Sequence, residues 1–440
     1  MRDFGRSDDP RVQAQLDRLA RLTLTTGRYT LDTMHELLER LGNPQRKLPP
    51  VFHVAGTNGK GSTCAFLRAM LEAQGYRVHV TTSPHLVRYN ERIRLAGELI
   101  SDEALAAVLA EVLNVGEDLG PSFFEVTIAA AFLAFSRTPA DACVVEVGLG
   151  GRLDATNVLE PETLAACGIA ALGLDHEEFL LRPEPGLPAD MDERLAFEKG
   201  GIRRSGVPLI ALSNARRANR FLTEAARSEG FPLILQGESW NVHADRAALH
   251  YHDGSGHLAL PLPNLPGAHQ ALNAGLAIAM IRAQPALAIS EHAIAQGLQS
   301  AQWPARLQRL GPGPLQQILP DCPIWVDGGH NRDAGAALAA FIAATDIAPH
   351  LVIGMLERKD PASLMDPLHG DVGSVTVVPV AGQECHTAAA FAGWPVELHA
   401  ASDLKAALAS LADVGPEAVL ITGSLYLAGE VLRLNDELPD

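Results

Sequence analysis

Along the chain, short runs of Val, Ile and Leu alternate with longer stretches in which apolar residues recur at helical spacing. Continuous apolar runs bounded by turn residues suit strands buried on both faces, and the helices between them are the crossovers that parallel strands need. On this pattern residues 51–55, 77–82, 142–147, 164–172 and 207–212 are predicted strands. Residues 62–74 are the helix after the first of them, and 126–135 and 268–282 are strongly apolar helices. A helix near 290–300 leads into WPARLQRLGPGP at 303–314, where prolines and glycines gather as they do at a domain break. A second α/β series follows, with strands at 323–327, 350–355, 374–380, 396–400 and 418–422. The expectation is an α/β protein with a larger domain at 1–303 and a smaller one at 304–440, binding ligands at the carboxyl ends of its strands. There is no repeat of fixed period and no low-complexity tract.

Composition narrows this picture. The 440 residues are 47% hydrophobic and 20% charged, a globular balance that can bury a large core without staples. The five cysteines are scattered and never form CxxC, which argues against a disulfide framework or a zinc ribbon and fits a reducing compartment. The first residues, MRDFGRSDDP, are polar and contain no secretory apolar segment, and the longest apolar run, near 126–135, is too short to span a bilayer. A cytoplasmic protein with no membrane role is expected. The formal net charge of −17 disfavours general nucleic-acid binding, although a locally positive pocket can still take a small anion.

The densest chemistry lies at Gly56-Thr57-Asn58-Gly59-Lys60-Gly61-Ser62, between a predicted strand and a predicted helix. Glycines let backbone amides wrap a phosphate, and the helix N-terminus adds the positive end of its dipole. Lys60 can neutralise β/γ-phosphate charge and the Ser62 hydroxyl can reach magnesium. Only Thr57 and Asn58 separate the first two glycines, and Gly61 stands between Lys60 and Ser62, unlike the usual Walker spacing. GTNGKGS resembles the phosphate loop of the Mur ligase superfamily.

Downstream segments sharpen that resemblance. Thr82-Ser83-Pro84-His85-Leu86, Tyr89-Asn90-Glu91-Arg92-Ile93 and the run from Val145 to Asn157 look like folylpolyglutamate synthases and dihydrofolate synthases. So do Leu174-Asp175-His176, Glu198-Lys199, Trp303 to Gln308, Asp327-Gly328-Gly329-His330-Asn331 and Gly423-Ser424-Leu425-Tyr426, in the family's order. The resemblance implies a P-loop, Mur-ligase-like central domain with a smaller Rossmann-like C-terminal domain. It implies an ATP- and Mg2+-dependent ligase, acting as a monomer, that joins L-glutamate to dihydropteroate or a reduced folate through an acyl phosphate. Asn58, Gly59, Lys60, Gly61, Ser62, Asn273, Arg306, Asp327 and His330 are implied to hold the nucleotide between the two domains. Ser83 and Glu146 would bind one magnesium. Glu146, His176 and a carbamylated Lys199 would bind a second, and Lys60, Glu146, His176 and Lys199 carry catalysis.

Substrate contacts are more open. Phe124, in Phe123-Phe124-Glu125, is either a ring surface for the flat pterin or a core aromatic. Arg88 and Arg92 either meet substrate carboxylates or are solvated loop cations. Asp154 either accepts a hydrogen bond from the pterin, as in bifunctional bacterial enzymes, or caps the turn before Thr156. Three departures stand out: Gly200 and Gly329 replace the family's usual alanines, and the Pro- and acid-rich segment 179–194 is longer than usual. Competing classes are a folylpolyglutamate synthase alone, another Mur-type ligase, a P-loop switch, and a binding module that has lost catalysis. A switch should carry an Asn-Lys-x-Asp guanine reader, which is absent, and the retained Lys60, Glu146, His176 and Lys199 speak against the binding module.

Overall fold

The computed structural model describes residues 5–22, 30–174, 185–345 and 347–439. The chain divides into two compact units, one of residues 1–264 and 271–302, the other of 265–270 and 303–440.

In the first unit, the apolar runs pair as a sheet because each is short, β-branched and able to bury both faces. Strands β1 (Val51–Ala55), β2 (Val78–Thr81), β3 (Ile93–Leu95), β4 (Glu98–Leu99), β5 (Ala142–Glu146), β6 (Leu164–Ile169), β7 (Leu209–Ala211) and β8 (Leu233–Leu235) lie in the order β4-β3-β2-β5-β1-β6-β7-β8. From β2 to β8 the pairing is parallel, and β3 and β4 are added antiparallel at one edge. Every residue of β1, β2, β5, β6 and β7 is buried. The core joins them to helices Pro10–Arg21, Asp32–Arg40, Asp102–Gly116 and Phe123–Arg137, through residues such as Leu16, Leu37, Leu109 and Phe132.

A second, three-stranded sheet was not foreseen. Its strands β9 (Trp240–Ala244), β10 (Leu249–Asp253) and β11 (Gly256–Leu260) are antiparallel in the order β11-β10-β9. Trp240, Val242, Leu249, Tyr251, Leu258 and Leu260 form its buried face. Helix Gln270–Ala283 lies against that face, where a Cβ on Gly275 would stand 2.5 Å from Val242 Cγ1. The same helix approaches β6 so closely that a Cβ on Gly168 would meet the Met280 side chain.

The second unit holds β12 (Gln308–Arg309), β13 (Ile324–Val326), β14 (His350–Ile353), β15 (Ser374–Val377), β16 (Glu397–Ala400) and β17 (Val419–Thr422) in the order β12-β13-β17-β14-β15-β16. All pairs are parallel except that of β12 with β13. Its core gathers Leu338, Leu351, Ile353, Val375 and Leu420. The α/β class expected from the apolar pattern is the class found.

Candidate active site

The carboxyl ends of β1, β2, β5 and β6 face one edge of the large sheet, and the polar motifs of the first unit hang from them. After β1 the backbone turns at Gly56 (φ +149°), where a Cβ would stand 2.8 Å from that of Ala170 after β6. The Thr57 and Asn58 amides donate to the Ala171 carbonyl at 2.8 and 3.3 Å, and the Thr57 hydroxyl donates to the Gly173 carbonyl at 2.8 Å. The turn is therefore anchored to β6 on one side. Gly59 (φ +84°) is the N-cap of helix Lys60–Ala73, and its left-handed backbone favours glycine. A Cβ there would run into the buried side chain of Asn273. The helix begins two residues before the expected Ser62, which lies buried in its first turn. No acidic residue occupies that turn, so the dipole end stays available to an anion.

Two ammonium groups meet on this loop. Lys60 Nζ donates to the carbonyls of Gly56 (3.1 Å) and Thr57 (3.3 Å), and Lys199 Nζ donates to the Gly56 carbonyl at 3.2 Å. Lys199 ends helix Met191–Lys199 and is buried. Its neighbour Glu198 accepts both Nε (3.1 Å) and Nη2 (3.0 Å) of Arg152 and pairs with Arg194 at 3.2 Å. Gly151 and Gly201 allow the 148–157 loop to press onto this helix end, since a Cβ at either would stand under 3.0 Å from backbone atoms of the other segment.

Glu146 is the buried last residue of β5, level with Val54 of β1. Its Oε2 accepts the Ser83 amide at 3.1 Å, which brings the Ser83 loop to the end of β5. The Glu146 carboxylate and the hydroxyls of Ser83 and Ser62 are hard oxygen donors of the kind that suits magnesium or manganese. Among the described residues, no group of three or more His, Cys, Asp or Glu gathers to hold a metal. An ion here would draw on hydroxyls and phosphate oxygens as well. His176 lies outside the described residues.

The substrate candidates divide. The half-buried Phe124 ring lies on Gly148, two residues past Glu146, where a Cβ would stand 2.6 Å from Phe124 Cε1. Asp154 is buried, and its carboxylate accepts the amides of Leu149 (2.8 Å) and Thr156 (3.0 Å) and the Thr156 hydroxyl (2.5 Å). The Thr156 hydroxyl also meets His53 Nε2 at 2.8 Å. Burial pushes the Asp154 carboxyl up, and these hydrogen bonds pull it back. Arg88 is exposed. Arg92, by contrast, is buried over the rings of Tyr89 and Phe123, 5.5 Å from each centroid, with Nε donating to His85 Nδ1 at 2.8 Å. The solvated reading of Arg92 does not hold. Pattern alone could not give this, because it depends on Phe123 arriving from a different helix. Glu91, also missed, accepts the amides of Leu86, Val87 and Arg88 at 2.6–2.9 Å and fixes the loop.

In the second unit, Asp327 follows β13 and accepts the amides of Leu307 (2.9 Å) and Gly329 (2.7 Å). His330 Nδ1 lies 3.1 Å from the Gly328 carbonyl, and a Cβ on Gly328 would stand 3.0 Å from Arg306 Nη1. Arg306 thus reaches the turn that carries Asp327 and His330. His269, which the sequence reading passed over, is pushed below its ordinary pKa by burial, partly offset by Asp327 and reinforced by Arg306.

No protein-family model matches the sequence. Whole-chain relatives do. The chain is 34% identical over 393 residues to the dihydrofolate synthase/folylpolyglutamate synthase of Escherichia coli, covering 88% of this chain and 87% of that one. It is 30% identical over 432 residues to the dihydrofolate synthetase of Saccharomyces cerevisiae, covering 92% and 97%. Among solved structures, E. coli FolC in complex with DHPP and ADP superimposes with a TM-score of 0.85 at 31% identity, covering 97% of each chain. The bifunctional Yersinia pestis enzyme complexed with AMPPNP and a Mn ion gives 0.83 at 29%, covering 96% and 97%. A phosphate loop held between two lysines at the end of β1, a glutamate at the end of β5 and likeness over nearly the whole length agree: this chain belongs to the dihydrofolate synthase/folylpolyglutamate synthase family of ATP-dependent ligases.

Proposed function

We propose that the chain joins L-glutamate to dihydropteroate, giving dihydrofolate, and to reduced folates, giving polyglutamates. A carboxylate in water does not condense with an amine unaided. In this reading the pteroate or folate carboxylate attacks the γ-phosphorus of ATP, releasing ADP and an acyl phosphate. The glutamate amine then attacks the acyl carbon and phosphate leaves. The carrying observation is the Lys60 ammonium held on the carbonyls of Gly56 and Thr57, at a helix N-terminus with no acid in its first turn. Positive charge fixed before the reaction is what phosphoryl transfer asks of a protein.

Glu146 with Ser83 and Ser62 would hold a divalent ion, which when bound supplies charge neutralisation for the phosphates. Lys60 steadies the β- and γ-phosphates, and the loop amides orient them. Phe124 presents a ring face to the pterin. Asp154, whose oxygens are engaged within its own loop, acts by shaping that loop. Arg306, Asp327, His330 and Asn273 complete the nucleotide's contacts, and Arg88 meets the substrate's anionic tail. A second ion on Glu146, His176 and carbamylated Lys199 belongs to the same reading. A carbamate 13C resonance after incubation with labelled bicarbonate, lost in Lys199→Arg, is its expected signature. The enzyme is proposed to work as a cytoplasmic monomer, which sedimentation and fractionation test.

The deciding experiment is a substrate panel. ADP release should require ATP, glutamate and either dihydropteroate or tetrahydrofolate. Release with tetrahydrofolate alone would make the chain a folylpolyglutamate synthase only, and release with neither would remove the reading.

A further inference from the structure

The three-stranded sheet carries chemistry that the ligase reaction does not use. Strand alternation puts Trp240, Val242, Tyr251 and Leu258 on its buried face, and therefore His243, His250, His252 and His257 on the opposite one. Four of the chain's sixteen histidines share this patch. His243 is directly across from His250, and His252 directly across from His257. Their rings stack, with centroids 4.9 Å apart in the first pair and 4.3 Å in the second. The diagonal pair is closer at its nitrogens: His250 Nδ1 and His257 Nε2 are 3.2 Å apart. His250 Nε2 meets Asp245 Oδ2 at 3.0 Å.

We propose that this face binds a divalent transition-metal ion of the Zn2+, Ni2+ or Cu2+ kind through His250 Nδ1 and His257 Nε2, with Asp245 as the positioning residue. Two nitrogens bound about 2.0–2.1 Å from a tetrahedral ion stand about 3.3–3.4 Å apart. The observed 3.2 Å is close to that spacing; with the ring centroids 5.5 Å apart the two nitrogens face one another in line, so both rings must turn for their lone pairs to converge on one ion. A carboxylate only accepts, so His250 carries its proton on Nε2 and turns the Nδ1 lone pair towards His257. A carboxylate behind a ligating imidazole is the usual outer-shell arrangement at metal sites. His257 needs only to exchange its Nε2–H tautomer for Nδ1–H, which releases no net proton. Desolvation, and then the rings of His252, His250 and His243, lower the His257 pKa and favour its neutral, ligating form. The pair is the whole convergent set, since no three-ligand group exists among the described residues. Water fills the remaining positions, and His243 and His252 flank the pair as stacked walls. Imidazole selects these ions over magnesium, which keeps the site chemically apart from Glu146.

The test titrates Cu2+ alone into the full-length protein in excess Mg2+, read by calorimetry and electron paramagnetic resonance. One ion per chain with hyperfine coupling from two imidazole nitrogens is expected, together with a raised unfolding midpoint. H250Q and H257Q should each weaken binding at least about tenfold, and D245N about tenfold, as loss of an outer-shell partner does. H369Q, at an exposed histidine in the other unit, should leave binding unchanged. The substituted histidines lie on the outer face of the sheet, and Asn at 245 keeps the Oδ1 that accepts the turn amides of Ala247 and Ala248, so the variants should fold and keep Mg2+-supported ADP release. Tight one-to-one binding that survives H250Q and H257Q would overturn the proposal. So would weak uptake of several ions equally in all variants.

Discussion

After β1 the chain turns through Gly56-Thr57-Asn58-Gly59, and after β13 it turns through Asp327-Gly328-Gly329-His330. Both turns sit at the carboxyl end of a buried strand and both need glycine, yet they handle charge in opposite ways. In the first, the loop's own carbonyls hold two lysine ammoniums, so cationic charge is stored where an anion can take it over. In the second, a carboxylate is consumed in shaping the turn, bonded to the amides of Leu307 and Gly329, while Arg306 and His330 are carried beside it. One turn is built to change partners and the other to keep them. Removing a charge from the first turn should therefore strike chemistry, and removing one from the second should strike architecture.

The largest expected effect is Lys60→Ala. Its loss of a preorganised cation should lower turnover about 100- to 1,000-fold, with the circular dichroism spectrum and unfolding midpoint unchanged. Near-normal ADP release in the folded variant would break the assignment of the first turn. Next comes Asp154→Ala, which leaves the Leu149 and Thr156 amides without their acceptor. A loss of about 1–3 kcal/mol in stability is expected, with dihydropteroate and tetrahydrofolate use falling together. A selective loss of dihydropteroate use would instead put the carboxylate in contact with the pterin.

The two glycine departures sharpen the contrast further. At Gly329 a Cβ would stand 2.8 Å from both Asp327 Oδ1 and Ala334 Cβ, and at Gly200 it would stand 2.9 Å from a terminal methyl of Leu222, away from any polar group of the site. Gly329→Ala should thus raise the KM for ATP several-fold, and Gly200→Ala should barely register; equal effects would dissolve the distinction. The smallest effect is pH-dependent. Burial, then the charge of His399, lowers the His350 pKa to about 4, with Glu397 opposing. The unfolded chain binds that proton more readily, so stability is full above pH ~6.5 and declines as pH falls towards about 4. His350→Gln should flatten that slope in an unfolding-midpoint series.

Much of this was legible beforehand for a physical reason. β1, β5 and β6 are buried on both faces, so apart from His53 and the terminal Glu146 their side chains are apolar, and the phosphate loop between β1 and its helix has a spacing few other loops need. The sheet of β9 to β11 was not legible, because one face is wet and its strands read as mixed polar segments. The helix start at Lys60 was hidden by its glycines, which propensity discounts and backbone geometry requires. For Arg92 the pattern leaves a substrate contact and a solvated cation both open, and only the arrival of Phe123 beside Tyr89 explains its burial.

Helix Gln270–Ala283 has a further consequence. Asn273 fills the space a methyl on Gly59 would need, Gly275 lets the helix lie against Val242, and Met280 occupies the space beside Gly168. Three interfaces therefore meet one rigid rod with no spare volume at any of them. A larger residue at one interface cannot be absorbed locally, because shifting the rod would loosen or crowd the other two. Substitutions at Gly59, Gly168 and Gly275 should be strongly non-additive with those on the helix. Sequence drift in this part of the enzyme then proceeds by paired exchanges, and a designer who alters the small sheet also edits the phosphate loop.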